Sequence, residues 1–242
     1  MITFWKTIGF YNSATWIPQL IIILIGLFLT IVLIRKPGPR IKVAMKIYLI
    51  AVYLWIAVVY YLIYCAERSY NNIMSIFWGV MALAWIWDAI TGFTTFEYNK
   101  KHRILAYFLL ILPFAYPALS LFRGMSFPEV TSPVMPCSVV TFTIGLLLLN
   151  SRKTNLFIVL LLSHWSLIGL TKTYFFRIPE DFILASVSVP ALYLFFKEYF
   201  FSNLHQDTKP NVKYINGLLI ATCLLVGIIL FSTLMFELAC DV

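Results

Sequence analysis

Cys137 follows Pro136 at the head of a short apolar run, and this is the place in the sequence where chemistry is easiest to build. Proline suits the first turn of a helix, because its missing N–H would have no intrahelical partner there. A cysteine beside it feels the positive end of the helix dipole, which favours the thiolate. Backbone N–H groups at the same place could receive an anion or a carboxylate. The plainer alternative is a cysteine packed as a small hydrophobe. Thr141, one turn on, could line the same site or bond back to its own helix.

His164, in Ser163-His164-Trp165-Ser166, sits near the middle of another apolar run. It could relay protons or bind a polar ligand, or bond a neighbouring carbonyl as a neutral ring. Lys172 lies about two turns further on and near enough to the end of the run to snorkel. Asp88, in Trp85-Ile86-Trp87-Asp88, is an ionisable group inside a run. Such a group costs about 3 kcal/mol on insertion scales and is a functional candidate by default, with a capped position near the membrane surface as the alternative. Asn12 and Gln19 are polar groups that could face the same recess as Cys137.

Several chemistries are excluded for want of residues. There is no G-x-S-x-G, H-E-x-x-H, paired D-x-x-x-D or Gly-rich phosphate loop. Cys65, Cys137, Cys223 and Cys240 show no C-x-x-C spacing and no histidine cluster, so neither a metal nor a cofactor is expected. The net charge of +8 does not imply nucleic acid, because the basic residues fall in short clusters between apolar runs.

The elements that must position these residues are helices in lipid. Of 242 residues, 62% are apolar and 12% charged, with a mean hydropathy of +0.90, whereas soluble domains carry about a quarter charged residues. A span needs about 20 apolar residues. Runs at about 17–34, 43–64, 73–96, 104–122, 137–149, 155–175, 181–200 and 214–236 predict an all-α, polytopic transmembrane bundle of about eight spans in a single domain, 1–242. The fifth is too short: Cys137 to Leu149 gives roughly 20 Å of helix. The segment from Gly124 to Pro136 must then dip into the bilayer as irregular backbone, which lipid tolerates only where protein buries it or a polar cavity receives it. Residues 1–16, rich in aromatics, read as an interfacial segment, and 201–242 as a polar linker plus an additional C-terminal span.

The odd-numbered connections and helix ends hold Arg35, Lys36, Arg40, Lys42, Lys46, Lys100, Lys101, Arg103, Arg152, Lys153, Lys197, Lys209 and Lys213, thirteen of the eighteen basic residues. By the positive-inside rule both termini then lie outside the cytoplasm.

Four segments together resemble an uncharacterised bacterial membrane-protein family, domain of unknown function 6064, over roughly residues 4–200. They are Tyr11 to Gln19; Phe127-Pro128 followed by Pro136 to Leu149; His164 to Gly169; and Pro179-Glu180-Asp181. The Pro-Cys segment entering a short Thr/Phe/Gly/Leu helix is the most specific of them. The family pattern tends to carry a second proline where this chain has Ser138, and a histidine where it has Met125. The resemblance implies a bacterial multi-span protein and supplies no activity; the expected location is the bacterial inner membrane.

The expectation is therefore a small-molecule or ion transporter or channel-like protein, non-enzymatic, whose outward-facing recess is built from Asn12, Gln19, Pro136, Cys137, Thr141, His164, Ser166 and Lys172. The alternatives are an intramembrane enzyme acting on a lipid or quinone-like substrate, and a non-catalytic membrane subunit or scaffold.

Overall fold

The computed structural model describes residues 2–68, 70–99 and 101–176, together with 191 and 193–195. The runs expected at 181–200 and 214–236 lie outside the continuously described part. Six helices are described: α1 (Ile2–Arg35), α2 (Pro39–Trp55), α3 (Asn71–Thr91), α4 (Arg103–Phe122), α5 (Pro136–Asn150) and α6 (Leu156–Phe176). The α2 helix continues into a π-helical segment, Ile56–Tyr64. Two short strands, β1 (Thr95–Phe96) and β2 (Ser151–Lys153), pair antiparallel.

Four helical stretches, Phe4–Arg35, Pro39–Tyr64, Asn71–Thr91 and Arg103–Phe122, are long and apolar enough to cross a membrane. Their outer faces carry large side chains in the open, among them Leu24, Phe28, Ile76, Leu83, Trp87, Ile90, Ile104 and Ile111. A water-soluble monomer rarely shows so continuous an apolar surface, whereas lipid favours it.

The expected boundaries shift in two places. Residues 2–35 form one helix, with no break between the aromatic leader and the first apolar run, and Pro18 is accommodated within it. At 34 residues α1 is about 50 Å long, well beyond a hydrocarbon core of about 30 Å. The third run ends earlier than expected, at Thr91. Gly92 takes the left-handed conformation (φ 66°) that closes a helix without a Cβ penalty, and residues 95–96 are strand.

The short helix α5 is the centre of the described bundle. It is apolar on every side, and a helix of that kind is stable only when surrounded. From Ser138 to Asn150 only Phe142 is not fully buried. Its closest partner is α4. A Cβ placed on Gly145 would stand 2.9 Å from Leu109 Cβ, 2.9 Å from the Leu110 nitrogen and 3.0 Å from the Ala106 oxygen, so only glycine permits the two backbones this approach.

The connections sort to two ends. The start of α1, residues 65–70 and the loop 123–135 meet at one, here termed the loop end, through contacts of Arg68 with Phe4 and of Asn12 with Pro128. Residues 92–99 and 151–155 meet at the other, the strand end, through the β1–β2 pair.

Candidate functional site

At the loop end, the Pro-rich connection between α4 and α5 does not stand away from the bundle. It lies against a polar stripe on α1 formed by Asn12, Thr15 and Gln19, which are one to two turns apart and so share a face. Asn12 Nδ2 donates to the carbonyls of Pro128 and Val130, each at 2.7 Å. Gln19 Nε2 donates to Asn12 Oδ1 (3.2 Å) and Thr15 Oγ1 (2.9 Å), while its Oε1 accepts from Ser132 Oγ. Ser138, in the first turn of α5, donates to the Ser132 carbonyl (2.9 Å). The Tyr11 hydroxyl donates to the Val134 carbonyl (3.3 Å) and accepts from Trp55 Nε1 (2.9 Å).

This seam is buried by protein. Asn12, Gln19, Ser132 and Ser138 each expose 6% of their surface or less. Below it, Pro133 and Val134 reach the level of Ile22 and Ile23 and line a cavity of about 30 Å³ with Gly26, Tyr48, Val139 and Phe142. The exposed apolar stretch of α1 runs from Trp16 to Ile31. The irregular backbone is thus level with helix surface suited to lipid, and protein satisfies its polar groups, as the physics of the bilayer requires.

The expected site residues separate into groups. Asn12 and Gln19 are joined in the seam, and Pro136 is buried directly beyond it. Cys137 is partly exposed at the start of α5, and its carbonyl accepts from the fully buried Thr141 (2.9 Å). His164 Nδ1 lies 2.7 Å from the Leu160 oxygen; a carbonyl can only accept, so that nitrogen carries the proton. Ser166 donates to the Leu162 carbonyl (3.0 Å). Two residues apart on α6, His164 and Ser166 face different ways, and among the described residues no hydrogen bond joins either to the seam. Lys172 belongs to the backbone of α6; its side chain lies outside the described residues.

Asp88 lies at the strand end, remote from the seam. It is fully buried and forms an ion pair of 2.8 Å with Lys46 of α2, placed by distance more than by hydrogen-bond alignment. Its Oδ1 accepts from Thr94 N (3.0 Å) and Thr94 Oγ1 (2.7 Å), and Asn155 N, just before α6, donates to Thr94 Oγ1 (3.2 Å). Lys46 also donates to the Asp88 carbonyl (3.0 Å). One carboxylate thereby fastens α2, the end of α3 and the start of α6. Asp88 and His164 are accordingly engaged in different places, and they do not converge as the acid and base of one reaction centre would.

Two features had no prominence in the sequence. Arg68 occurs in a polar connection that reads as an ordinary loop, yet it is 7% exposed and its Nη2 donates to the Phe4 carbonyl (3.0 Å) and to Thr7 Oγ1. An aromatic cluster links α2, the π-helical segment, α3 and α6: Tyr53 stacks on Trp78 (5.1 Å between centroids), Trp165 meets Trp78 (4.9 Å) and Tyr61 (6.5 Å) edge-on, and Trp165 lies over Phe77 (5.7 Å). Only the packing of the helices brings those rings together.

A family model described as "Family of unknown function (DUF6064)" matches residues 1–206 of the chain. No curated protein and no solved structure matches it.

Proposed function

We propose that this chain, which belongs to the family of unknown function DUF6064, works in the membrane as a small-molecule or ion transporter or channel-like protein, with its outward pathway closed in this conformation. The observation that carries the reading is the seam between α1 and the loop before α5. Polar side chains and non-helical backbone are placed level with the lipid-facing part of α1, where each unsatisfied group would cost several kcal/mol. In secondary transporters, irregular backbone at this depth offers helix termini to a solute. Asn12, Gln19, Pro136, Cys137 and Thr141 would form the closed pathway, and His164, Ser166 and Lys172 of α6 would face it only after rearrangement. The full chain is proposed to cross a bacterial inner membrane about eight times, with the loop end and both termini outside the cytoplasm.

Labelling of Cys137 in intact cells tests this. A membrane-impermeant thiol reagent should modify Cys137 slowly in the parent protein and several-fold faster in Gln19→Ala, which loosens the seam. Ser126→Cys, on the exposed part of the same loop, serves as the labelled control. Complete protection of Cys137 in both backgrounds, with Ser126→Cys labelled normally, would sink an outward pathway.

One observation favours a second reading, a non-catalytic membrane subunit. The polar groups of the seam are satisfied by one another, and the adjoining cavity is apolar and has room for about one water molecule. On that reading the seam is permanent, and Cys137 stays protected in every variant that folds.

A further inference from the structure

We propose that the turn joining α1 to α2, from Arg35 to Lys42, is a docking surface for the headgroups of anionic phospholipids. Four cations, Arg35, Lys36, Arg40 and Lys42, fall within this short stretch, and the chain has no acidic residue before Glu67. Arg35, Lys36 and Arg40 are exposed and Lys42 is half-buried. Among the described residues none of the four takes part in an ion pair; the one pair joins Lys46 to Asp88. The turn holds these charges close together. Lys36 N donates to the Val32 carbonyl (2.7 Å) as α1 ends, and Lys42 N donates to the Gly38 carbonyl (3.1 Å) as α2 begins. Between them Pro37 and Pro39 have their φ angles fixed by their rings. Like charges crowded in this way repel one another, and an anion laid across them relieves the repulsion.

The surface on either side favours a lipid over a soluble anion. Arg35 stands on the same face of α1 as Leu24, Phe28 and Ile31, all of them exposed. Arg40 stands on the same face of α2 as Val43 and Ile47, which are exposed too. Each arginine therefore ends a stripe of large apolar side chains suited to acyl chains. A lipid whose tail follows either stripe brings its phosphate to a guanidinium, whose fork matches phosphate geometry. Clusters of about 4–8 Lys and Arg directly beside a membrane-spanning helix attract anionic headgroups. The loop end offers no such cluster: Lys6, Arg68 and Arg123 are far apart in sequence, and Arg68 is buried. The surface stands whether or not the chain transports anything.

The test uses the full chain, purified in neutral detergent, with the thermal unfolding midpoint followed in three parallel titrations. Phosphatidylglycerol and phosphatidylcholine are added in mixed micelles, and inorganic phosphate is compared with chloride at equal ionic strength. A saturable rise is expected with phosphatidylglycerol alone. Its half-saturation should move several-fold higher in Arg35→Gln/Arg40→Gln and stay unchanged in Lys6→Gln/Arg123→Gln, which removes the same charge from the loop end. Lys36→Gln/Lys42→Gln should also raise it, and decides the matter should the arginine variant fail to fold. No saturable rise in the parent protein, or a matching rise with phosphatidylcholine or inorganic phosphate, overturns the surface. So does a half-saturation that moves no further in the turn variants than in Lys6→Gln/Arg123→Gln.

Discussion

Asp88 illustrates how much a single buried charge depends on its neighbours. Removing it leaves Lys46 buried and uncompensated, and breaking one partner of such a pair costs about 3–5 kcal/mol. Asp88→Ala should therefore lower the unfolding midpoint in detergent strongly. Lys46→Met/Asp88→Leu should recover most of that loss, because two apolar side chains no longer need each other's charge. Equal damage from the single and double variants would show that the ion pair is not what holds α2, α3 and α6 together. The sequence identifies Asp88 as costly, but not its partner: Lys46 lies 42 residues away and reads as one more basic residue near a helix end. Arg68 was hidden for a similar reason, since nothing local distinguishes a buried arginine from a loop arginine. Asn12 and Gln19 were legible only as polar groups that could face the site beside Cys137; the structure puts them on one helix and gives them the loop as partner.

At the scale of the element, α5 is the most constrained helix of those described. A Cβ added at Gly145 would meet two backbone atoms of α4 at 2.9 and 3.0 Å, and backbone cannot step aside as a flexible side chain can. Gly145→Ala should cost about 1–3 kcal/mol by overpacking, even though alanine is the better helix former. Gly79→Ala on α3, with nothing within 4 Å of the added carbon, should be neutral or stabilising by up to about 1 kcal/mol. Unfolding midpoints of the two variants side by side check the contrast, and similar values would refute the close approach. The shortness of α5 was legible from the run between Cys137 and Leu149, and the observed helix extends it only to Pro136 and Asn150. Its buried position is decided by its neighbours, because a pattern apolar all round also fits a lipid-facing span.

At the scale of the whole molecule, the two ends differ in charge. The strand end carries Lys46, Lys101, Arg103 and Lys153 together with the basic turn after α1, and the loop end carries Lys6, Arg68 and Arg123. If the positive-inside rule orients the chain, single cysteines at Gly38 and Ser126 should label from opposite sides. Ser126→Cys should react in intact cells, and Gly38→Cys only after permeabilisation. The reverse pattern would invert the assignment and place the loop end at the cytoplasmic face.

Composition and the lengths of the apolar runs by themselves determined the class of molecule. A chain so poor in charge and so regularly apolar can hide its backbone polar groups from lipid only as packed helices. The short run after Pro136 likewise required an irregular partner. Which partner that is, and what each buried polar group meets, depended on tertiary structure. Hydrogen bonds such as Asn12 to Val130, 118 residues apart, arise from packing, and no local pattern encodes them. That the loop before Cys137 packs against α1 through Asn12 and Gln19 was likewise decided by tertiary structure alone.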